Sequence, residues 1–201
     1  FNTISSYSEF KKAVPVRDYE GLASYVLRVK NGEENVLWPG KPIYLCKTSG
    51  TTSGAKYIPI TKQSMPNHIH SARNALLSYI DGSNEAGFVD GKMIFLQGSP
   101  EMESENGIPI GRLSGIVAHH VPQYLQKNRM PSYEVNCIDD WESKVDAIVD
   151  ETFNENMTLI GGIPAWVQMY FEKLQIKSGG KLIKDIFPNF SLFVYGGVSY
   201  E

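Results

Sequence analysis

Short apolar runs alternate with stretches of helical periodicity along this chain. Residues 43–47, 92–97 and 191–195 have the length and composition of buried strands. Between them, residues 19–30 and 164–174 carry apolar side chains every three or four positions, as amphipathic helices do. This alternation predicts an α/β fold with a mostly parallel sheet and flanking helices.

Turn and capping residues predict where several elements begin and end. We expect Ser6 or Ser8 to cap a short first helix and Asp18 to cap a second. Pro66 suits the first turn of a third helix. Residues 98–114 are rich in Gly, Pro, Ser and Glu and show no periodicity, which predicts a long loop.

Composition excludes some classes of function. The net charge is −3, and acidic and basic residues are mixed along the chain, so no patch for nucleic acid or an anionic membrane is expected. No apolar run approaches the roughly 20 residues that cross a bilayer. Cys46 and Cys137 are far apart and are interpreted as two reduced thiols of a cytoplasmic protein.

The strongest local pattern lies between two predicted strands, at 43–47 and 56–60. It consists of small residues that end in a lysine: Thr48, Ser49, Gly50, Thr51, Thr52, Ser53, Gly54, Ala55 and Lys56. Glycines let a backbone approach a ligand closely, and free amides and hydroxyls donate to phosphate oxygens. The spacing is not that of a Walker A motif. A flexible Ser/Gly connection is the alternative that composition alone allows.

This loop is similar to the phosphate-binding loop of the adenylate-forming superfamily, which contains acyl-CoA synthetases and luciferases. Residues 14–20 (Val-Pro-Val-Arg-Asp-Tyr-Glu) and 56–61 (Lys-Tyr-Ile-Pro-Ile-Thr) resemble one branch of it, the auxin-responsive acyl acid amido synthetases. The residues of these two segments look more like those of the family's bacterial branch than those of the plant enzymes. In plant members the loop is one residue longer and ends in Arg-Lys, so the role of Lys56 is an expectation rather than a direct match.

The resemblance implies a partial N-terminal domain of the adenylate-forming fold. It also implies ATP and Mg²⁺, with a carboxylic acid as substrate and an amino acid as acceptor. The expected triphosphate contacts are Thr48, Ser49, Gly50, Thr51, Thr52, Ser53, Gly54 and Lys56, with Thr51 and Lys56 closest to the chemistry. The later segment 193–199 resembles the turn beside the adenine, through Gly196, Gly197 and Val198.

Adenylation is also consistent with the absence of a nucleophile motif from the sequence. No Gly-x-Ser-x-Gly elbow is present, and neither cysteine adjoins a histidine. A carboxylate is already ionised at neutral pH and needs no base to attack a phosphate. His68 and His70 diverge on a predicted helix, as do the adjacent His119 and His120, so no metal site is expected. One of the latter pair could line an acyl pocket, or both could be ordinary surface or packed histidines.

We interpret residues 1–201 as an incomplete N-terminal adenylation domain that lacks its C-terminal remainder and cap domain. Alone it is expected to bind ATP weakly and to catalyse nothing. Three alternatives stay open: transfer to coenzyme A, a truncated non-catalytic module that binds a ligand or partner, and a nucleotide-binding scaffold. The identities of the acid and the amino acid, and the oligomeric state, are open as well.

Overall fold

The computed structural model describes residues 3–48 and 54–196. Its helices are α1 (Tyr7–Ala13), α2 (Tyr19–Lys30), α3 (Met65–Ser83), α4 (Leu113–Ala118), α5 (Gln123–Gln126), α6 (Tyr133–Asn136), α7 (Trp141–Thr152), α8 (Pro164–Lys177) and α9 (Ile183–Ile186). Its strands are β1 (Tyr44–Lys47), β2 (Tyr57–Ile60), β3 (Lys92–Leu96), β4 (Glu103–Glu105), β5 (Ile108–Gly111), β6 (Arg129–Met130), β7 (Met157–Gly162) and β8 (Leu192–Val194). A 3-10 turn spans Gly87–Val89.

The strands form two four-stranded sheets. The first has the order β2-β1-β5-β4, with β1 parallel to β5 and the two outer pairs antiparallel. The second has the order β6-β3-β7-β8, and all its pairs are parallel. The predicted α/β fold with parallel strands and flanking helices is confirmed. The division into two sheets is a finding that strand spacing did not indicate.

The prediction of a long loop over residues 98–114 was wrong. The segment holds β4, β5 and the start of α4. Asn106 and Gly107 both have positive φ, of 52° and 76°, which is the geometry of a tight hairpin turn. The turn closes an antiparallel pair in which Glu105 faces Ile108. A strand as polar as Glu103–Glu105 is held by its turn and its partner rather than by an apolar pattern.

The predicted caps are confirmed. The Ser6 hydroxyl accepts from the Glu9 amide at 3.3 Å, and an Asp18 carboxylate oxygen accepts from the Gly21 amide at 2.8 Å. Each bond satisfies one of the free amides at a helix start. Within the described ranges, no helix combines the length and hydropathy needed to cross a membrane.

The second sheet is covered on both faces, as the alternation of side chains along its strands requires. Ile94 of β3 and Ile160 of β7 point to one face, where they pack with Val145 and Ile148 of α7 and with Leu174 of α8. Met93 and Leu159, the neighbouring residues, belong to the cluster on the opposite face. The sheet is therefore the middle of three layers.

Helix α3 contacts both sheets. Near its start, Met65 and Ile69 belong to the apolar cluster that contains Cys46 and Ile60 of the first sheet. Near its end, three partly buried side chains pack with the cluster on the second sheet: Leu76, Tyr79 and Ile80. Two reciprocal hydrogen bonds between Thr61 and Ser64, each 3.0 Å from amide to hydroxyl, fix the corner between β2 and α3.

Candidate functional site

A crevice of about 970 Å³ opens between the first sheet and the helices that cover the second; we call it the inter-sheet crevice. Its lining includes Thr48, Ser99, Arg112, Tyr133, Lys144 and Trp166. Thr48 and Arg112 follow the carboxyl ends of the parallel strands β1 and β5, and Ser99 follows β3. Ligands of open α/β sheets bind outside the carboxyl ends of the strands, so this is the candidate site.

The predicted phosphate loop starts at this crevice. Thr48 lines it, and the Thr48 amide donates to the Lys56 carbonyl at 2.9 Å. This bond joins the two ends of the loop above the β1–β2 hairpin. Gly54 has φ +83°, and an added Cβ would meet no atom of the described residues within 4 Å. Five of the predicted contacts lie outside the described residues: Ser49, Gly50, Thr51, Thr52 and Ser53.

Lys56 contacts helix α2. Its Nζ lies 3.3 Å from Glu20 Oε1 and 4.8 Å from the centre of the Tyr19 ring. The Tyr19 hydroxyl accepts from the Tyr57 amide at 2.9 Å, which ties the start of β2 to the same helix. Helix α2 therefore supports the end of the loop, a role that the sequence analysis missed. The sequence feature that could have indicated this role is the pair Tyr19-Glu20, directly after the Asp18 cap.

The predicted adenine segment follows β8. An added Cβ at Gly196 would meet no atom of the described residues within 4 Å, and Gly197 and Val198 lie outside those residues. Because β3, β7 and β8 are parallel neighbours, their carboxyl ends share one edge of the sheet. Two strand spacings, roughly 10 Å, separate β8 from β3, whose exit lines the crevice. The predicted adenine segment thus begins at the edge of the second sheet from which the exit of β3 reaches the crevice.

Charged side chains of both signs line the crevice. Lys47 Nζ lies 3.8 Å from Glu103 Oε1, and both side chains are well exposed. The Arg112 side chain runs across Gly98, where an added Cβ would come within 2.9 Å of Arg112 Cδ. Gly98 thereby leaves room for a guanidinium at the crevice wall. The sequence analysis did not single out Arg112, which lay inside the supposed loop.

An aromatic pair forms part of the opposite wall. The rings of Trp141 on α7 and Trp166 on α8 are 4.3 Å apart and inclined by 36°. Both tryptophans line the crevice. Lys144, one helical turn after Trp141, also lines the crevice, although the residue is only 2% exposed. A lysine on the otherwise apolar face of α7 is the sequence feature that could have indicated this residue.

The adjacent histidines are engaged elsewhere. A His119 ring nitrogen, Nε2, lies 2.9 Å from the Pro100 carbonyl oxygen. His120 Nε2 lies 3.0 Å from the Tyr44 hydroxyl, and the two rings meet edge to face. Neither histidine is among the residues that line the crevice. His119 is exposed and His120 half-buried, and their contacts favour the interpretation as an ordinary surface and an ordinary packed histidine.

Comparison with known proteins identifies the family. A model of the GH3 family N-terminal domain matches residues 1–137. The chain belongs to the GH3 family. The GH3 chain is 39% identical over 107 residues to an indole-3-acetic acid-amido synthetase, GH3.15, of Arabidopsis thaliana, which is 50% of this chain and 17% of that protein. It is 30% identical over 146 residues to a probable indole-3-acetic acid-amido synthetase, GH3.1, of Oryza sativa subsp. japonica, covering 67% of this chain and 23% of that one.

Among solved structures, the GH3 chain resembles a GH3.15 acyl acid amido synthetase, with a TM-score of 0.66 and 20% identity. The match covers 92% of this chain and 35% of that one. A structure of AtGH3.15 in complex with 2,4-DB gives a TM-score of 0.64 at 22% identity, over 88% of this chain and 31% of that one. These likenesses show the fold. The GH3 chain spans less than a quarter of the length of the curated relatives it matches.

Proposed function

We propose that the GH3 chain is the ATP-binding part of an acyl acid amido synthetase. The enzyme activates a carboxylic acid with ATP to an acyl adenylate and pyrophosphate, and an amino acid amine then takes the acyl group. Residues 1–201 supply one part of the adenylation domain. The family match supports this assignment, as do the names of the relatives, which are amido synthetases of indole-3-acetic acid and a jasmonoyl–amino acid synthetase.

The chemistry places modest demands on side chains. The acid is already a carboxylate at neutral pH, so its oxygen attacks the α-phosphorus without a base. The obstacle is the repulsion between two anions, which hydrogen-bond donors and cations offset. Segment 48–54 supplies hydroxyls and backbone amides, with Thr51 central, and Lys56 supplies positive charge for the far phosphates. Gly196, Gly197 and Val198 flank the adenine.

Mg²⁺ would enter with the triphosphate and neutralise part of its charge. The exposed carboxylates of Glu101 and Glu103 line the crevice and are oxygen ligands of the kind that Mg²⁺ prefers. We place the activity in the cytoplasm. Cys46 and Cys137 are both free thiols, which suits a reducing compartment.

One observation carries the proposal. Thr48, the first residue of the loop, lies at the carboxyl end of β1 and lines a crevice of about 970 Å³. A hydroxyl-rich loop that begins at the mouth of such a crevice is where a bound triphosphate would meet the strand ends. A solvent-exposed linker of the same composition would have no reason to begin there.

The test measures Mg·ATP binding to the 201-residue chain by calorimetry. We expect weak binding to the unaltered chain. Thr51→Val and Lys56→Met should each weaken it about tenfold, the loss expected for one charge-assisted hydrogen bond. Lys62→Met, at an exposed lysine just after β2, is the matched control and should leave the affinity unchanged. Equal affinities in all four proteins would overturn the assignment of the loop.

A further inference from the structure

Lys144 is a buried cation without an anionic partner. It is 2% exposed, and its ammonium donates to the backbone carbonyl of Asn136. No carboxylate of the described residues lies within ion-pair distance of it, although two carboxylates of the same helix, Asp146 and Asp150, pair with lysines of α8. Burial lowers the pKa of Lys144, while Cys137 and Asp139 nearby oppose that shift. An unpaired buried charge is costly, so its retention at a crevice calls for an explanation.

Two other buried donors have no acceptor among the described residues. The buried Nε1–H of Trp141 and the buried Nε2 of Gln97 have no hydrogen-bond partner in the described part of the chain. Trp141 and Lys144 are three residues apart on α7 and therefore share a face. Gln97 precedes Gly98, and Trp141, Lys144 and Gly98 all line the inter-sheet crevice. Buried polar groups are almost always paired, so two unmet donors, together with a buried ammonium that has a carbonyl but no anion as its partner, indicate a missing acceptor.

We propose that Lys144, Trp141 and Gln97 form a subsite that binds the carboxylate of a small molecule in the inter-sheet crevice. A carboxylate offers two oxygens with four acceptor positions and a charge that matches the ammonium. The Trp141–Trp166 pair supplies an apolar flank for the body of the ligand. Both substrates of an amido synthetase, the acyl acid and the amino acid, carry a carboxylate. The identity of the ligand therefore rests on the proposed function, which this inference deepens.

The subsite can be tested with the 201-residue chain labelled with ¹⁵N in its indole groups. Benzoate and glycine are the probes, and benzamide and glycinamide are their counterparts without a carboxylate. We expect a carboxylate probe to shift the Trp141 Nε1–H resonance, assigned with Trp141→Phe, and its amide to leave it in place. A Trp141 resonance that neither carboxylate moves would overturn the proposal.

A matched pair of variants tests the role of the charge. Lys144→Met should weaken carboxylate binding at least tenfold, as the loss of a charge-assisted bond predicts. It should not lower the thermal midpoint, because it removes a buried unpaired charge. Lys173→Met alters a lysine on α8 that pairs with Asp146, and its carboxylate affinity should stay within twofold. Equal carboxylate affinity in the unaltered chain and in Lys144→Met would contradict the proposal.

The two probes separate the two sources of a carboxylate. Binding of benzoate alone assigns the subsite to the acyl acid, and binding of glycine alone assigns it to the amino acid. Mg·ATP titrations of the same samples keep the two proposals apart. A chain that binds carboxylates at Lys144 but no ATP would refute the ATP-binding assignment and leave the subsite standing. ATP binding without any carboxylate response would do the reverse.

Discussion

Lys56 illustrates how one side chain can be predicted and still be found in an unexpected place. The sequence assigned it to the end of a phosphate loop, and in the folded chain its ammonium pairs with Glu20 and lies over Tyr19. The pair is partly exposed, so it contributes at most about 1 kcal/mol. A triphosphate carries several negative charges and would compete effectively for the same ammonium. Glu20 is therefore expected to hold Lys56 when no nucleotide is bound.

This competition gives a prediction at the level of single residues. Glu20→Gln should tighten Mg·ATP binding two- to fivefold, roughly the free energy of one exposed ion pair. The gain should vanish when Lys56→Met is already present, which makes a double-mutant cycle the measurement. Glu34→Gln removes a carboxylate that faces Lys41 at 3.9 Å and serves as the control. If Glu20→Gln still tightens Mg·ATP binding when Lys56 is absent, Glu20 acts on the nucleotide through its negative charge and not through its ion pair with Lys56.

At the scale of elements, the sequence predicted the helices and strands whose own residues carry an apolar periodicity or a capping residue. The predicted helix over residues 19–30 has the bounds of α2, and the strand predicted over 92–97 is β3, which ends one residue earlier. The β4–β5 hairpin was missed because Glu103–Glu105 has no apolar alternation. Its signal was the Asn106-Gly107 pair, the residues that a tight turn with two positive φ values favours.

That turn can be tested by adding one methyl group. Gly107 has φ +76°, where a side chain is strained, so Gly107→Ala should lower the free energy of unfolding by about 1–2 kcal/mol. Gly82, in the last turn of α3, has no positive φ and open space around it. Gly82→Ala should instead be neutral or stabilise the chain by up to about 1 kcal/mol. Urea titrations of both variants make the comparison, and equal effects would refute the turn argument.

At the scale of the whole molecule, sequence reasoning identified the fold class but neither the two sheets nor the crevice. Lys144 and Trp141 lie on α7 whereas Gln97 follows β3, and only long-range packing brings α7 and the exit of β3 to the same crevice. The half of the site that was predicted, the loop from Thr48 to Lys56, is contiguous in sequence. The half that was missed is assembled across sheets, where local patterns carry no information about which elements become neighbours.

A close backbone contact joins the two halves of the molecule. Gly115 of α4 lies against the exit of β3: an added Cβ would come within 2.8 Å of the Ser99 carbonyl oxygen and 3.1 Å of Pro100 Cα. Backbone atoms cannot rotate aside, so Gly115→Ala should cost about 1–3 kcal/mol and widen the inter-sheet crevice. Denaturant unfolding measures the cost, and the Trp141 indole resonance reports the crevice. Gly87→Ala, with nothing within 4 Å of the added carbon, is the control.

Helix α3 gives this assembly a mechanical property. Its 19 residues extend about 28 Å, with one end seated on each sheet. Such a rod acts as a lever: a tilt of about 4° at the first sheet displaces the far end by roughly 2 Å. Only β2 separates Lys56 from the Thr61–Ser64 corner where the rod begins. We therefore expect a nucleotide that displaces the loop to shift the far end of α3, on the opposite side of the molecule.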